Sequence, residues 1–176
     1  MRNRYFGDKA FYRHVLGVAV PIIIQNGITN FVSLLDNIMV GQVGTIQMSG
    51  VSIVNNLMFV FNLCVFGAVS GAGIFTAQFH GSGDRKGVRN TFRFKILIGL
   101  LLTVLGVGIF LLGGEGLIGL YLQGEGDVKD ALLAQGYGLA YLRVMLLGLL
   151  PFALCNAYSS TLRETGQTFV PMLAGI

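Results

Sequence analysis

Residues 96–114 carry no charged side chain, and that run limits the chain more than any other feature. A helix needs about 20 mostly apolar residues to cross a hydrocarbon core of roughly 30 Å. Three further stretches have this character. The first, residues 15–38, is interrupted by Pro21 and ends at Asp36-Asn37. Residues 51–78 contain Asn55, Asn56 and Asn62, and residues 139–159 form the fourth stretch. A fifth begins at Phe169-Val170-Pro171 and reaches Ile176 after too few residues to cross. The expected fold is an all-α membrane protein of four spans plus the start of a fifth, with residues 1–176 in one unit. Composition excludes the soluble alternative: 53% of residues are apolar and 11% charged, whereas soluble domains carry about 25% charged residues.

The charges between the spans alternate in sign. Arg2, Arg4, Lys9 and Arg13 precede the first span, and the first connection, residues 41–50, has no charge. Arg85, Lys86, Arg89, Arg93 and Lys95 occupy the second connection with Asp84. The third inverts to Glu115, Glu125, Asp127 and Asp130 against Lys129, and Arg163 follows the fourth span. The positive-inside rule then predicts a cytoplasmic N-terminus in the cell membrane. It also accounts for the net charge of +4 without a nucleic-acid partner. Arg143 lies 20 residues before Arg163, about 30 Å along a helix, so the two can snorkel to opposite interfaces. No A-x-A cleavage signal follows the N-terminal basic cluster, which predicts an uncleaved first span.

Asp36 is the acidic residue within an apolar span, 23 residues after Arg13, or about 34 Å along a straight helix. One reading is an interfacial carboxylate emerging from the membrane. The other is a proton or sodium site, because desolvation raises a carboxyl pKa and a bound cation reverses that shift. Pro21 removes a backbone hydrogen bond and marks a hinge. Gln25 and Thr29, and Asn26 and Asn30, then form a polar stripe that lines a cavity or joins helices. Asn55, Asn62 and Ser70 repeat at near-helical spacing, and the two asparagines are further cavity-lining candidates. Gly67 and Gly71, at GxxxG spacing, are expected to let helices approach. Cys64 and Cys155 are read as small buried hydrophobes rather than a disulfide. His14 and His80 lack ligand-spaced partners. Residues 81–87 are glycine-rich but lack phosphate-loop spacing and follow a membrane helix. Catalytic motifs are absent, which argues against an enzyme.

Several of these segments together resemble the multidrug and toxic compound extrusion (MATE) family. They are Val20-Pro21-Ile22, residues 35–45 (LDNIMVGQVGT) and residues 77–84 (AQFHGSGD) with the basic residues that follow. The resemblance continues in Tyr141-Leu142-Arg143, Leu149-Leu150-Pro151-Phe152, residues 162–168 (LRETGQT) and Pro171. It implies export of drugs, toxic compounds or metabolites, cationic ones among them, by H⁺ or Na⁺ antiport between two six-helix lobes, with no other cofactor. Asp36 is then the coupling-cation site, Pro21 the place where the first helix bends, and Asn156 a further cavity residue. Family members have about twelve helices, so the chain reads as an N-terminal portion that needs a missing C-terminal lobe or another polypeptide. A lipid-linked oligosaccharide flippase and a non-transporting truncated subunit are the alternatives.

Overall fold

The computed structural model describes residues 8–122 and 128–174. Arg2, Arg4, Glu125, Asp127 and the end of the expected fifth segment lie outside the described residues. Five helices follow in order: α1 (Lys9–Val43), α2 (Thr45–Gly81), α3 (Arg85–Leu122), α4 (Val128–Glu164) and the short α5 (Phe169–Ala174). Each of the first four contains one of the apolar stretches and is long and apolar enough to cross a membrane. At 35 to 38 residues they measure about 52–57 Å, so their end turns project beyond a hydrocarbon core of about 30 Å.

That excess length changes the reading of the basic second connection. Only residues 82–84 separate α2 from α3, and Arg85 to Lys95 are the first turns of α3 rather than a loop. Asp84 starts the helix: its Oδ1 accepts from the backbone N–H of Lys86 at 2.9 Å and Gly87 at 3.1 Å. This is an N-cap, which satisfies amides that have no partner within the helix. Gly83 turns the chain at φ 76° and Gly44 joins α1 directly to α2 at φ 148°. Both values lie where a side chain is disfavoured.

Contacts along the helices fix their directions. Thr76 meets Thr91 and Phe61 covers Gly106, so α2 and α3 are antiparallel. Gly50 meets Gly138 and Gly73 meets Glu164, so α2 and α4 run the same way. Lys95 meets Glu164 while Gly114 meets Leu142, which sets α3 against α4. This up-down order brings Arg13, the basic start of α3 and Arg163 to one end of the bundle. Glu115 and Asp130 lie at the other, and Arg143 shares a cleft there with Glu115.

The core lies among α2, α3 and α4, around Val54, Leu57, Phe61, Val65, Phe110, Ile118, Leu142 and Leu149. In α2 it is a stripe at three- and four-residue spacing from Gly50 to Thr76, the periodicity of one helix face. Gly67 and Gly71 fall off that stripe and have no neighbour within 4 Å of a built Cβ. The expected close approach is instead at Gly50, where a Cβ would sit 2.3 Å from the Ala134 carbonyl oxygen. Cys64 and Cys155 are exposed on the outside of the bundle rather than buried. α1 packs differently, since none of its residues is buried.

Gly50→Leu should force α2 and α4 apart and cost about 1–3 kcal/mol, as overpacking does. Gly67→Leu should be nearly neutral. Thermal stability of the detergent-solubilised protein, followed by size-exclusion chromatography, measures the difference.

Candidate functional site

α1 continues through Pro21 without interruption. Proline has no N–H, so the Gly17 carbonyl, four residues earlier, loses its regular helical donor. Gln25, one turn after Pro21, faces the α4–α5 turn. Its Nε2 donates to the Pro171 carbonyl at 3.1 Å, and its Oε1 accepts from the Arg163 guanidinium. Both ends of the amide are thereby engaged.

The rest of the polar stripe points elsewhere. Asn26, Thr29 and Asn30 are exposed on α1, and the Thr29 hydroxyl donates back to the Gln25 carbonyl at 3.0 Å. Asp36 lies further along, also exposed, and no hydrogen bond or ion pair from the described residues reaches its carboxylate. It lies within electrostatic reach of Tyr141 on α4. The Tyr141 hydroxyl donates to Asn55 Oδ1 on α2 at 3.4 Å. The Asn55–Tyr141 hydrogen bond thus joins α2 to α4, and Asp36 makes no hydrogen bond with either residue. Asn62 and Asn156 are half-buried, and Asn156 donates to the Phe152 carbonyl of its own helix at 2.9 Å. Two cavities of about 210 Å³ open on the bundle, and none of these polar residues lines either one.

A second polar cluster lies at the opposite end. Lys95, assigned above to a connecting loop, is fully buried. Its Nζ donates to Ser160 Oγ at 3.0 Å and Thr161 Oγ1 at 3.4 Å, and forms an ion pair with Glu164. Ser160 donates to the other Glu164 oxygen. A Cβ at Gly73 would collide with this carboxylate, so a glycine on α2 gives the pair its space. The sequence carries one signal for this arrangement. Gly87, Lys95, Gly99, Thr103, Gly106, Phe110, Gly114 and Ile118 are the buried residues of α3, so Lys95 belongs to a stripe of mostly small residues facing α2 and α4.

With this geometry established, comparison with known proteins identifies the lineage. The MatE family model matches residues 21–176. The chain belongs to the MatE family. It is 27% identical over 165 residues to a probable multidrug resistance protein NorM of Thermotoga maritima, covering 92% of this chain and 33% of that protein. It is 26% identical over 168 residues to the multidrug resistance protein PmpM of Pseudomonas aeruginosa, covering 96% and 34%. The chain spans about a third of the length of these curated relatives. No solved structure matches it significantly. Four membrane-crossing helices and this family membership make the chain part of a multi-pass membrane protein.

Lys95→Met would leave the half-buried Glu164 carboxylate without its cation, at a cost of about 2–3 kcal/mol, less than for a fully buried pair. Lys95→Met combined with Glu164→Gln should recover much of that loss. Comparing melting temperatures of the single and double variants checks the coupling.

Proposed function

We propose that this chain forms part of a cation-coupled antiporter, driven by H⁺ or Na⁺, that exports small organic compounds across the cytoplasmic membrane. Its N-terminus lies in the cytoplasm, with the basic ends of α1 and α3 on that side. Asp36 binds the coupling cation, whether a proton on the carboxyl or Na⁺ beside it. The supporting observation is a carboxylate on a proline-containing membrane helix, without an ion pair among the described residues, in a chain of the MatE family. An ionised carboxylate facing lipid costs about 2.5–3.5 kcal/mol on insertion scales, so such a group normally faces protein or a water-filled cavity.

In this reading α1 bends at Pro21 and exchanges access to a central cavity between the two sides of the membrane, which requires a second lobe to work against. Gln25, Asn26, Thr29, Asn30, Asn55, Asn62 and Asn156, on the same reading, line a cavity that the second lobe completes. The buried cation Lys95 is neutralised by Glu164 and is not available to an anionic lipid headgroup, which disfavours flipping of lipid-linked oligosaccharides.

In the natural full-length protein, Asp36→Asn should reduce gradient-driven dye efflux from proteoliposomes to background while insertion and yield stay normal. Imposing a proton gradient and a sodium gradient separately identifies the ion. Undiminished efflux in Asp36→Asn under both gradients would remove the coupling role.

A further inference from the structure

The α4–α5 turn is tied to α1 on both sides of Pro21. Four residues before the proline is Gly17, whose carbonyl has lost its regular donor. Thr168 Oγ1 lies 3.5 Å from that carbonyl oxygen, the long limit of a hydrogen bond. Four residues after the proline is Gln25, held by Arg163 and by the Pro171 carbonyl. Thr168 is buried and directly precedes α5, the position where a threonine ordinarily caps a helix. Its hydroxyl turns instead toward α1. These contacts come from a segment of eleven residues, 161–171, whose own footing is firm. Glu164, next to Arg163, is bound to Lys95 of α3, and Gln167 N–H donates to the Leu162 carbonyl at 2.8 Å.

We propose that the α4–α5 turn is a clamp on the α1 hinge, with Thr168 standing in for the amide donor that Pro21 lacks and Arg163 fixing Gln25. Thr168 and Arg163 are thus positioning residues for the bend of α1. A helix with a missing hydrogen bond bends at little cost, away from the turn that the proline ring presses on. A side chain that occupies the freed carbonyl sets how far it bends. Because Arg163 adjoins the Lys95–Glu164 pair, that bend is set relative to the α2–α4 core. The inference rests on the transporter reading only in that bending of α1 is a step of transport; the contacts themselves do not depend on coupling.

The test is a distance measurement in the natural full-length polypeptide in nanodiscs, with Cys64 and Cys155 replaced by serine. Spin labels are placed at Ala10 and Arg89, both exposed. Ala10 is eleven residues from Pro21, or about 16 Å along the helix, so a change of about 20° in bend moves it by roughly 5 Å. Thr168→Val should displace or broaden the distance distribution on that scale, and Thr168→Ser should restore it. In a Pro21→Ala background the amide donor returns, so Thr168→Val should have no effect. A shift of equal size in both backgrounds would show that Thr168 only caps α5 and would overturn the proposal, as would no shift in either. If Thr168→Val does not elute as a folded species, Gln25→Met removes the other tie. It should displace the same distance, and an unchanged distance again overturns the clamp. Asp36→Asn efflux is scored independently, so loss of the coupling role and loss of the clamp are separate results.

Discussion

A hydrocarbon surround supplies no hydrogen bonds, so each polar group of a membrane-spanning chain must find its partner in the chain itself. In α2, α3 and α4 the helical ladder answers most of that demand. The rest falls on a few side chains, and these largely decide how the helices are placed. Thr76 meets Thr91 across α2 and α3, and Thr103 returns its hydroxyl to Gly99 within α3 at 2.8 Å. Lys95 poses the hardest case, a cation buried between helices, and three groups on α4 answer it. Gly73 leaves room for the pair on α2. One charge therefore fixes the mutual positions of three helices at the basic end of the bundle.

At the other end backbone contact does the same work without charge. Gly50 and Gly138 bring α2 and α4 together, where dispersion and close packing replace the hydrophobic effect that lipid cannot supply. The three-helix core is thus held at both ends by different means. α1 shares in neither. It reaches the core through the Gly44 turn, through Gln25, and through the electrostatic neighbourhood of Asp36 and Tyr141. α1 is thus attached to the core at a few points, and none of its residues is buried.

Much of this was legible in the sequence, and the failures have a common cause. Uncharged runs located the helices because length and apolarity suffice for crossing a bilayer. Charge alternation assigned Arg85, Arg89 and Arg93 to one end. The same rule put Lys95 at the right end but gave no sign that it is buried, because a count of charges ignores which helix face each one occupies. The four-residue stripe from Gly87 to Gly99 through Lys95 carries that information. Gly67 and Gly71 misled for the converse reason: their spacing suits a packing motif, but they lie off the buried face of α2. Gly50 and Gly138 are 88 residues apart, and no local pattern pairs them. Pro21 marks a missing ladder bond in the sequence, whereas Thr168, whose hydroxyl faces the freed carbonyl, lies 147 residues away and is brought there only by the fold.

Lys95 and Asp36 show how position turns a membrane charge toward structure or toward exchange. Lys95 is fully buried and surrounded by acceptors on a helix that shares the core, so its charge is spent on holding α3 to α4. Asp36 sits on the one long helix without a buried residue, and the described residues offer it no cation. Under the proposed function, a carboxylate so placed is the one that would take its cation from outside the chain. The same helix contains Pro21, where one ladder bond is missing. The proposed coupling residue and the proposed bend thus fall on one element, the long helix that shares least in the core.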